Sequence, residues 1–150
     1  MRILMVCLGN ICRSPLAEGI LSNKTKDLDE VMVDSAGTAG YHIGSPPDER
    51  SINIAKKHNI NLNNQRARKF SQEDFDKFDI IYAMDTSNYK HLISLANTEE
   101  EKNKIRMILN EINPNSFESV PDPYYGGDDG FEIVYNLLNQ ACEKIKSSIE

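Results

Sequence analysis

Two kinds of hydrophobic pattern alternate along this chain: short continuous apolar runs, and longer stretches in which apolar residues return every three or four positions. Ile3-Leu4-Met5-Val6 is a run of the first kind, and it ends at the turn pair Gly9-Asn10. Leu16, Ala17, Ile20 and Leu21 then share one helical face, so the N-terminal segment reads as buried strand, loop, helix. Ser14 stands where an N-cap belongs, with Pro15 at the first helical position and Glu18 in the first turn. The same reading predicts a strand at Val31 to Val33, a helix from Asp48 to His58, a strand at Asp79 to Ala83 and a helix from Thr86 to Leu95. A fourth strand falls at Ile105 to Leu109. A long closing helix from Phe131 to Ile149 places Ile133, Val134, Leu137, Leu138, Ala141 and Ile145 at helical spacing. Strands alternating with helices imply a parallel sheet, hence a three-layer α/β/α fold with four parallel strands. In such folds ligands bind beside the carboxyl ends of the strands, where the polar stretches 44–47 and 113–122 are expected as loops.

Composition narrows the class. At 150 residues, with 39% hydrophobic and 27% charged positions, the expectation is one globular domain spanning 1–150. A net charge of -6 argues against nucleic acid or an anionic membrane as partner, so any anion must be bound locally. There is no secretory leader pattern and no run of membrane-spanning length, and three cysteines form no disulfide framework. Those features point to a reducing, cytoplasmic setting. Three histidines without paired metal-ligand spacing give a zinc site no support.

The chemistry concentrates in the loop Cys7-Leu8-Gly9-Asn10-Ile11-Cys12-Arg13-Ser14, where a cysteine and an arginine flank five residues. A loop running into a helix start turns several backbone N–H groups and the positive helix end towards one point, a nest for a tetrahedral anion. Gly9 and Asn10 suit the positive φ of a tight curl. The planar fork of Arg13 can hold two phosphate oxygens together. The same field favours the thiolate of Cys7, a nucleophile, and the Ser14 hydroxyl is able to donate to it. The loop lacks the Lys-Ser/Thr ending of a nucleotide-binding Walker loop.

Far along the chain, Asp122-Pro123-Tyr124-Tyr125-Gly126-Gly127 sets an acid in a rigid Xaa-Pro context followed by two aromatics. A departing phenolate needs a proton, which Asp122 can supply, and Tyr124 and Tyr125 can flank an aryl ring.

CLGNICRSP and DPYYGG together, with VDSAGTAGY at 33–41, GSPPD at 44–48 and MDTSN at 84–88, resemble the low-molecular-weight protein tyrosine phosphatases over nearly the whole chain. The resemblance implies a phosphatase that uses Cys7 as nucleophile, Arg13 as phosphate clamp and Asp122 as general acid, without metal or organic cofactor. It implies phosphotyrosine-containing proteins or peptides as substrates and inorganic phosphate as product; a monomer is the expectation, although the sequence does not name the oligomeric state. Leu8, Gly9, Asn10, Ile11, Cys12 and Ser14 would form the phosphate loop, with Asn10, Ser14, Ser35 and His58 as its supporting network. Leu8, Ile11, Tyr41 and His42 correspond to cleft positions in the resemblance, whereas their residue types alone suit apolar packing and a surface loop, the better reading for His42. His58 also suits a helix C-terminus, where a cation complements the dipole. The resemblance implies a reversible disulfide between Cys12 and Cys7, whereas spacing alone leaves Cys12 a packing thiol of the loop, and Cys142 reads as a core cysteine.

Alternatives of the same fold are protein-arginine phosphatase and thioredoxin-coupled arsenate reductase. Related arginine phosphatases typically carry Thr where this chain has Ile11, and the reductase needs further cysteines between Cys12 and Cys142, where there are none. A phosphocysteine carrier must keep its phosphate, which makes Asp122 a liability. A silent phosphotyrosine-binding module has no use for Cys7, Arg13 and Asp122 together.

Overall fold

A computed structural model describes residues 1–124 and 128–150. The element order is β1 (Arg2–Cys7), α1 (Arg13–Lys24), β2 (Met32–Gly37), α2 (Glu49–Lys57), α3 (Asp74–Lys77), β3 (Ile80–Ala83), α4 (Thr86–Leu95), α5 (Glu99–Lys104), β4 (Ile105–Met107), a 3₁₀ turn (Ile108–Glu111) and α6 (Asp128–Ile149). The four strands form one parallel sheet in the order β2-β1-β3-β4.

The central position of β1 explains its sequence. A strand paired on both edges and covered by helices on both faces has no solvent side, so Ile3, Leu4, Met5 and Val6 are all wholly buried. The two-residue repeat divides them between two cores. Ile3, Met5 and Cys7 join Leu16, Ile20, Leu138, Ala141 and Cys142 under α1 and α6, whereas Leu4 and Val6 join Phe70, Phe75, Phe78 and Leu92 on the opposite face. Each fully buried aliphatic side chain of α1 contributes about 1.5–3 kcal/mol relative to exposure. β1 therefore delivers Cys7 at its carboxyl end, directly before the loop into α1.

Several boundaries differ from expectation. Helix α1 begins at Arg13 with Cys12 as its N-cap residue and no side-chain cap, so Ser14 lies inside the helix and Glu18 in its second turn. β2 runs on to Gly37, through the polar Asp34 and Ser35, because an edge strand tolerates them. β4 stops at Met107, and the chain tightens into the 3₁₀ turn. α3 and α5 are additional elements. In α5 the Thr98 hydroxyl accepts from Glu101 N at 3.1 Å while Glu101 Oε1 accepts from Asn97 N, a capping arrangement on a helix that buries nothing. No helix among the described residues is long and apolar enough to cross a membrane.

Candidate active site

The loop between β1 and α1 curls around one cavity of about 120 Å³, lined by Cys7, Leu8, Gly9, Ile11, Cys12, Arg13, Tyr41, His42, Asp122 and Tyr124. The curl is set locally by Asn10, at φ 57°, a left-handed conformation that asparagine tolerates. Of the two residues suited to a positive φ, Asn10 adopts it and Gly9 does not. Backbone bonds staple the loop to its neighbours: Thr38 N donates to Cys7 O at 2.9 Å, Ala39 N to Leu8 O at 3.0 Å and Asp48 N to Ile11 O at 2.7 Å.

Side chains fix the loop from inside. Asn10 Oδ1 accepts from the backbone N–H of Arg68 at 2.9 Å, which can only donate, so the amide orientation is determined. Asn10 Nδ2 then donates to Ser14 Oγ at 2.8 Å and to Ser35 Oγ at 3.0 Å. Ser14 Oγ, which accepts from Asn10, lies 3.0 Å from Cys7 Sγ and 3.5 Å from Ala36 O; either atom of the Cys7–Ser14 pair can donate, and against a thiolate, which only accepts, the Ser14 hydrogen goes to sulfur. Ser14 thus serves the cysteine and not the helix end. The structure brings Asn10, Ser14 and Ser35 together around Cys7. His58 is not among them. It is the exposed C-cap residue of α2, and its ring stacks on Tyr135 of α6 at 3.9 Å between centroids.

Arg13 is buried, and its Nη1 donates to Asp85 Oδ2 at 2.8 Å and to Val120 O at 3.0 Å. Asp85 is held in turn as the N-cap of α4, its Oδ1 accepting from Asn88 N at 2.7 Å. Arg13 Nη2 points towards Asp122 Oδ2 at 3.7 Å, and Asp122 Oδ1 accepts from Tyr124 N at 3.0 Å. Cation and carboxylate therefore face the same cavity, with the carboxyl more exposed, at 39% of its side chain against 3% for Arg13. Arg50 ties this rim to α2: it engages both oxygens of Asp48 at 3.1 Å and donates to Tyr124 O at 3.0 Å.

Leu8 and Ile11 give the cavity apolar wall, and Tyr41 and Tyr124 stand exposed at its mouth. His42, half-buried in the turn at 41–44, lines the cavity as well, with its ring 6.4 Å from that of Tyr124, so it belongs both to a surface loop and to the cleft. Tyr125 lies outside the described residues, as do Gly126 and Gly127. Cys12 is buried and free, and burial together with Asp48 pushes its thiol up to about 12. Cys142 lies in the α6 core, pushed up to about 12 by burial. Among the described residues no group of His, Cys, Asp or Glu is assembled to hold a metal.

Arg68 and Arg50 are contributors that sequence patterns did not single out for the site, and Asp85 enters only as one residue of the stretch MDTSN, with no role of its own. The Arg68 side chain bonds Asp74 and Asp34, each at 3.1 Å.

A loop that presents a cysteine, a buried arginine and a helix start to one small cavity, with a carboxylate opposite, defines a cysteine-based phosphate-handling protein. The chain belongs to the low molecular weight phosphotyrosine protein phosphatase family, whose model matches residues 2–150. It is 40% identical to the low molecular weight protein-tyrosine-phosphatase YfkJ of Bacillus subtilis over 99% of this chain and 95% of that one. A protein tyrosine phosphatase of Entamoeba histolytica superposes with a TM-score of 0.92 at 37% identity, covering 99% of this chain and 96% of that one. An arginine phosphatase of Drosophila superposes equally well, with a TM-score of 0.92 at 34% identity and coverage of 100% and 98%.

Proposed function

We propose that this protein is a tyrosine phosphatase that hydrolyses phosphotyrosine in proteins or peptides, and small aryl phosphates, through a phosphocysteine on Cys7. The observation that carries the reading is the convergence of Cys7, Arg13 and Asp122 on one cavity with the Asp122 carboxyl 3.7 Å from the Arg13 fork.

In the first step the Cys7 thiolate attacks phosphorus, the S–P bond forms and the P–O(aryl) bond breaks. The leaving oxygen takes its proton from the Asp122 carboxyl, which becomes carboxylate. The loop amides, the α1 start and the Arg13 fork hold the three equatorial oxygens as charge spreads over them. Ser14, donating to Cys7 Sγ, stabilises sulfur as thiolate both before attack and on departure. In the second step water attacks phosphorus, Asp122 accepts its proton, the S–P bond breaks and inorganic phosphate leaves. Neither step consumes a cofactor. In this reading residues 1–150 act as one domain, a cytoplasmic monomer without nucleic-acid or membrane partners. The acidic net charge and the three unpaired cysteines support that setting.

The aryl preference rests on Leu8, Ile11, Tyr41 and Tyr124, which offer a ring apolar and aromatic walls but a guanidinium no carboxylate beyond Asp122 among the described lining residues. Likeness to the Drosophila arginine phosphatase makes phosphoarginine the competing substrate. Turnover of a phosphotyrosine peptide against a phosphoarginine peptide of the same sequence tests the assignment. A kcat/KM favouring phosphotyrosine is expected, and the opposite ratio would overturn the substrate while leaving the cysteine mechanism intact.

A further inference from the structure

The hydrogen bonds behind Cys7 do not stop at Ser35. Ser35 Oγ donates to Glu18 Oε1 at 2.6 Å, extending one continuous chain from Cys7 Sγ through Ser14, Asn10 and Ser35 to a carboxyl in the second turn of α1. Every link up to Ser35 belongs to a buried residue. Glu18 is the only member of this chain other than Cys7 that titrates, and the reaction outlined above does not use it.

We infer that Glu18 is a positioning residue whose ionisation tightens the phosphate loop through Ser35 and Asn10, making the reactivity of Cys7 sensitive to pH. The inference rests on the proposed phosphocysteine reading for its catalytic consequence, and on hydrogen-bond geometry alone for its effect on the loop.

Ser35 has one hydroxyl hydrogen. With Glu18 ionised, that hydrogen goes to the carboxylate in a short charge-assisted bond, which leaves the oxygen lone pairs directed at Asn10 Nδ2. Asn10 Nδ2 commits one hydrogen to Ser35 and the other to Ser14, so a firmly held Ser35 oxygen fixes the amide, and through it the position of the Ser14 hydroxyl against Cys7 Sγ. With Glu18 protonated, the acceptor is neutral and weaker, and the carboxyl O–H competes with Asn10 for the same lone pairs.

The surroundings set the carboxyl in the physiological range. Burial pushes Glu18 up to about 7 and Asp34 on β2 adds to the rise, while the Ser35 hydrogen bond and the Arg68 guanidinium oppose it. Arg68 is itself committed to Asp34 and Asp74. Glu18 also borders a surface groove that Lys26, Asp34 and Arg66 line with it. Gln65 donates to Pro15 O at 3.1 Å and offers Glu18 no charge.

Two measurements on wild type and Glu18→Gln test this, with Ser35→Ala as second variant. The rate of Cys7 alkylation by iodoacetamide between pH 5.5 and 8.5 reports the nucleophile without assuming any phosphatase activity. The kcat/KM for para-nitrophenyl phosphate over the same range reports catalysis. Wild type should show an extra ionisation near 7 in both profiles. Glu18→Gln should lose it, falling about three- to tenfold below wild type at pH 8 and converging with it at pH 5.5. Ser35→Ala should also erase the ionisation, because it cuts the chain while keeping the carboxyl. Superimposable profiles, or a drop by the same factor at every pH, would overturn the inference. Absence of turnover in wild type with the alkylation difference intact would instead overturn the phosphatase reading and leave Glu18 in its role.

Discussion

Asp85 accepts from Arg13 across 72 residues of sequence, at 2.8 Å, with the oxygen that it does not spend on capping α4. One carboxylate thereby fixes the start of a helix and the direction of the arginine that faces the cavity. Asp85→Asn separates the two duties, since asparagine caps as well as aspartate but carries no charge for the guanidinium. The variant should keep its fold, with a urea midpoint close to wild type, and raise KM for para-nitrophenyl phosphate about tenfold or more. An unchanged KM would remove Asp85 from the orientation of Arg13.

Gly37 ends β2 where the phosphate loop passes over it. A Cβ there would stand 2.7 Å from Leu8 O and 3.1 Å from Ala39 O, both backbone atoms that cannot swing aside, and 3.2 Å from Asn10 Cβ. Gly37→Ala should destabilise the protein by about 1–3 kcal/mol and reduce turnover further, because the displaced backbone carries the loop. Denaturant melts paired with kinetics check this; a variant as stable and active as wild type would show that the loop is not braced against β2.

Asp122 faces the Arg13 fork from the exposed rim. As general acid it matters most where the leaving group most needs a proton. Asp122→Ala should slow phenyl phosphate strongly and aryl phosphates with acidic leaving groups much less. Equal slowing across a leaving-group series would take Asp122 out of the acid role.

Glu18 carries a stability consequence apart from its effect on rate. Its folded carboxyl is pushed up to about 7 from an ordinary 4.5, so between those values the folded protein holds a proton that the unfolded chain has released. The corresponding stability is fully present below about pH 4.5 and is lost as pH rises through about 7. Compared with Glu18→Gln, wild type should therefore lose ground in urea midpoint between pH 5 and pH 8. A constant difference between the two proteins would contradict the buried titration.

What the sequence disclosed follows the range of each interaction. The loop from Cys7 to Ser14 was legible because strand, turn and helix start are contiguous and their chemistry is local. β1 was plain because burial on both faces demands an unbroken apolar run. β2 was cut short because Asp34 and Ser35 break that signal on an edge strand. α5 shows no apolar period since it buries nothing, and only its Thr98 to Glu101 cap announces it. Partnerships that join distant segments were hidden: Arg13 with Asp85 and Val120 O, Asn10 with the Arg68 backbone, and Ser35 with Glu18. His58 erred in the other direction, its chemistry inviting a role beside the loop while its place at the end of α2 sends the ring to Tyr135.

The central claim is that phosphate passes through sulfur at Cys7. Acid quench during turnover of para-nitrophenyl phosphate, followed by peptide mass analysis of wild type and Cys7→Ser, tests it most directly. Wild type should carry one phosphoryl group on the Cys7 peptide, in the presence of EDTA as in its absence, and Cys7→Ser should carry none and show no turnover. Undiminished hydrolysis by Cys7→Ser, or a phosphoryl group on any other residue, would contradict it.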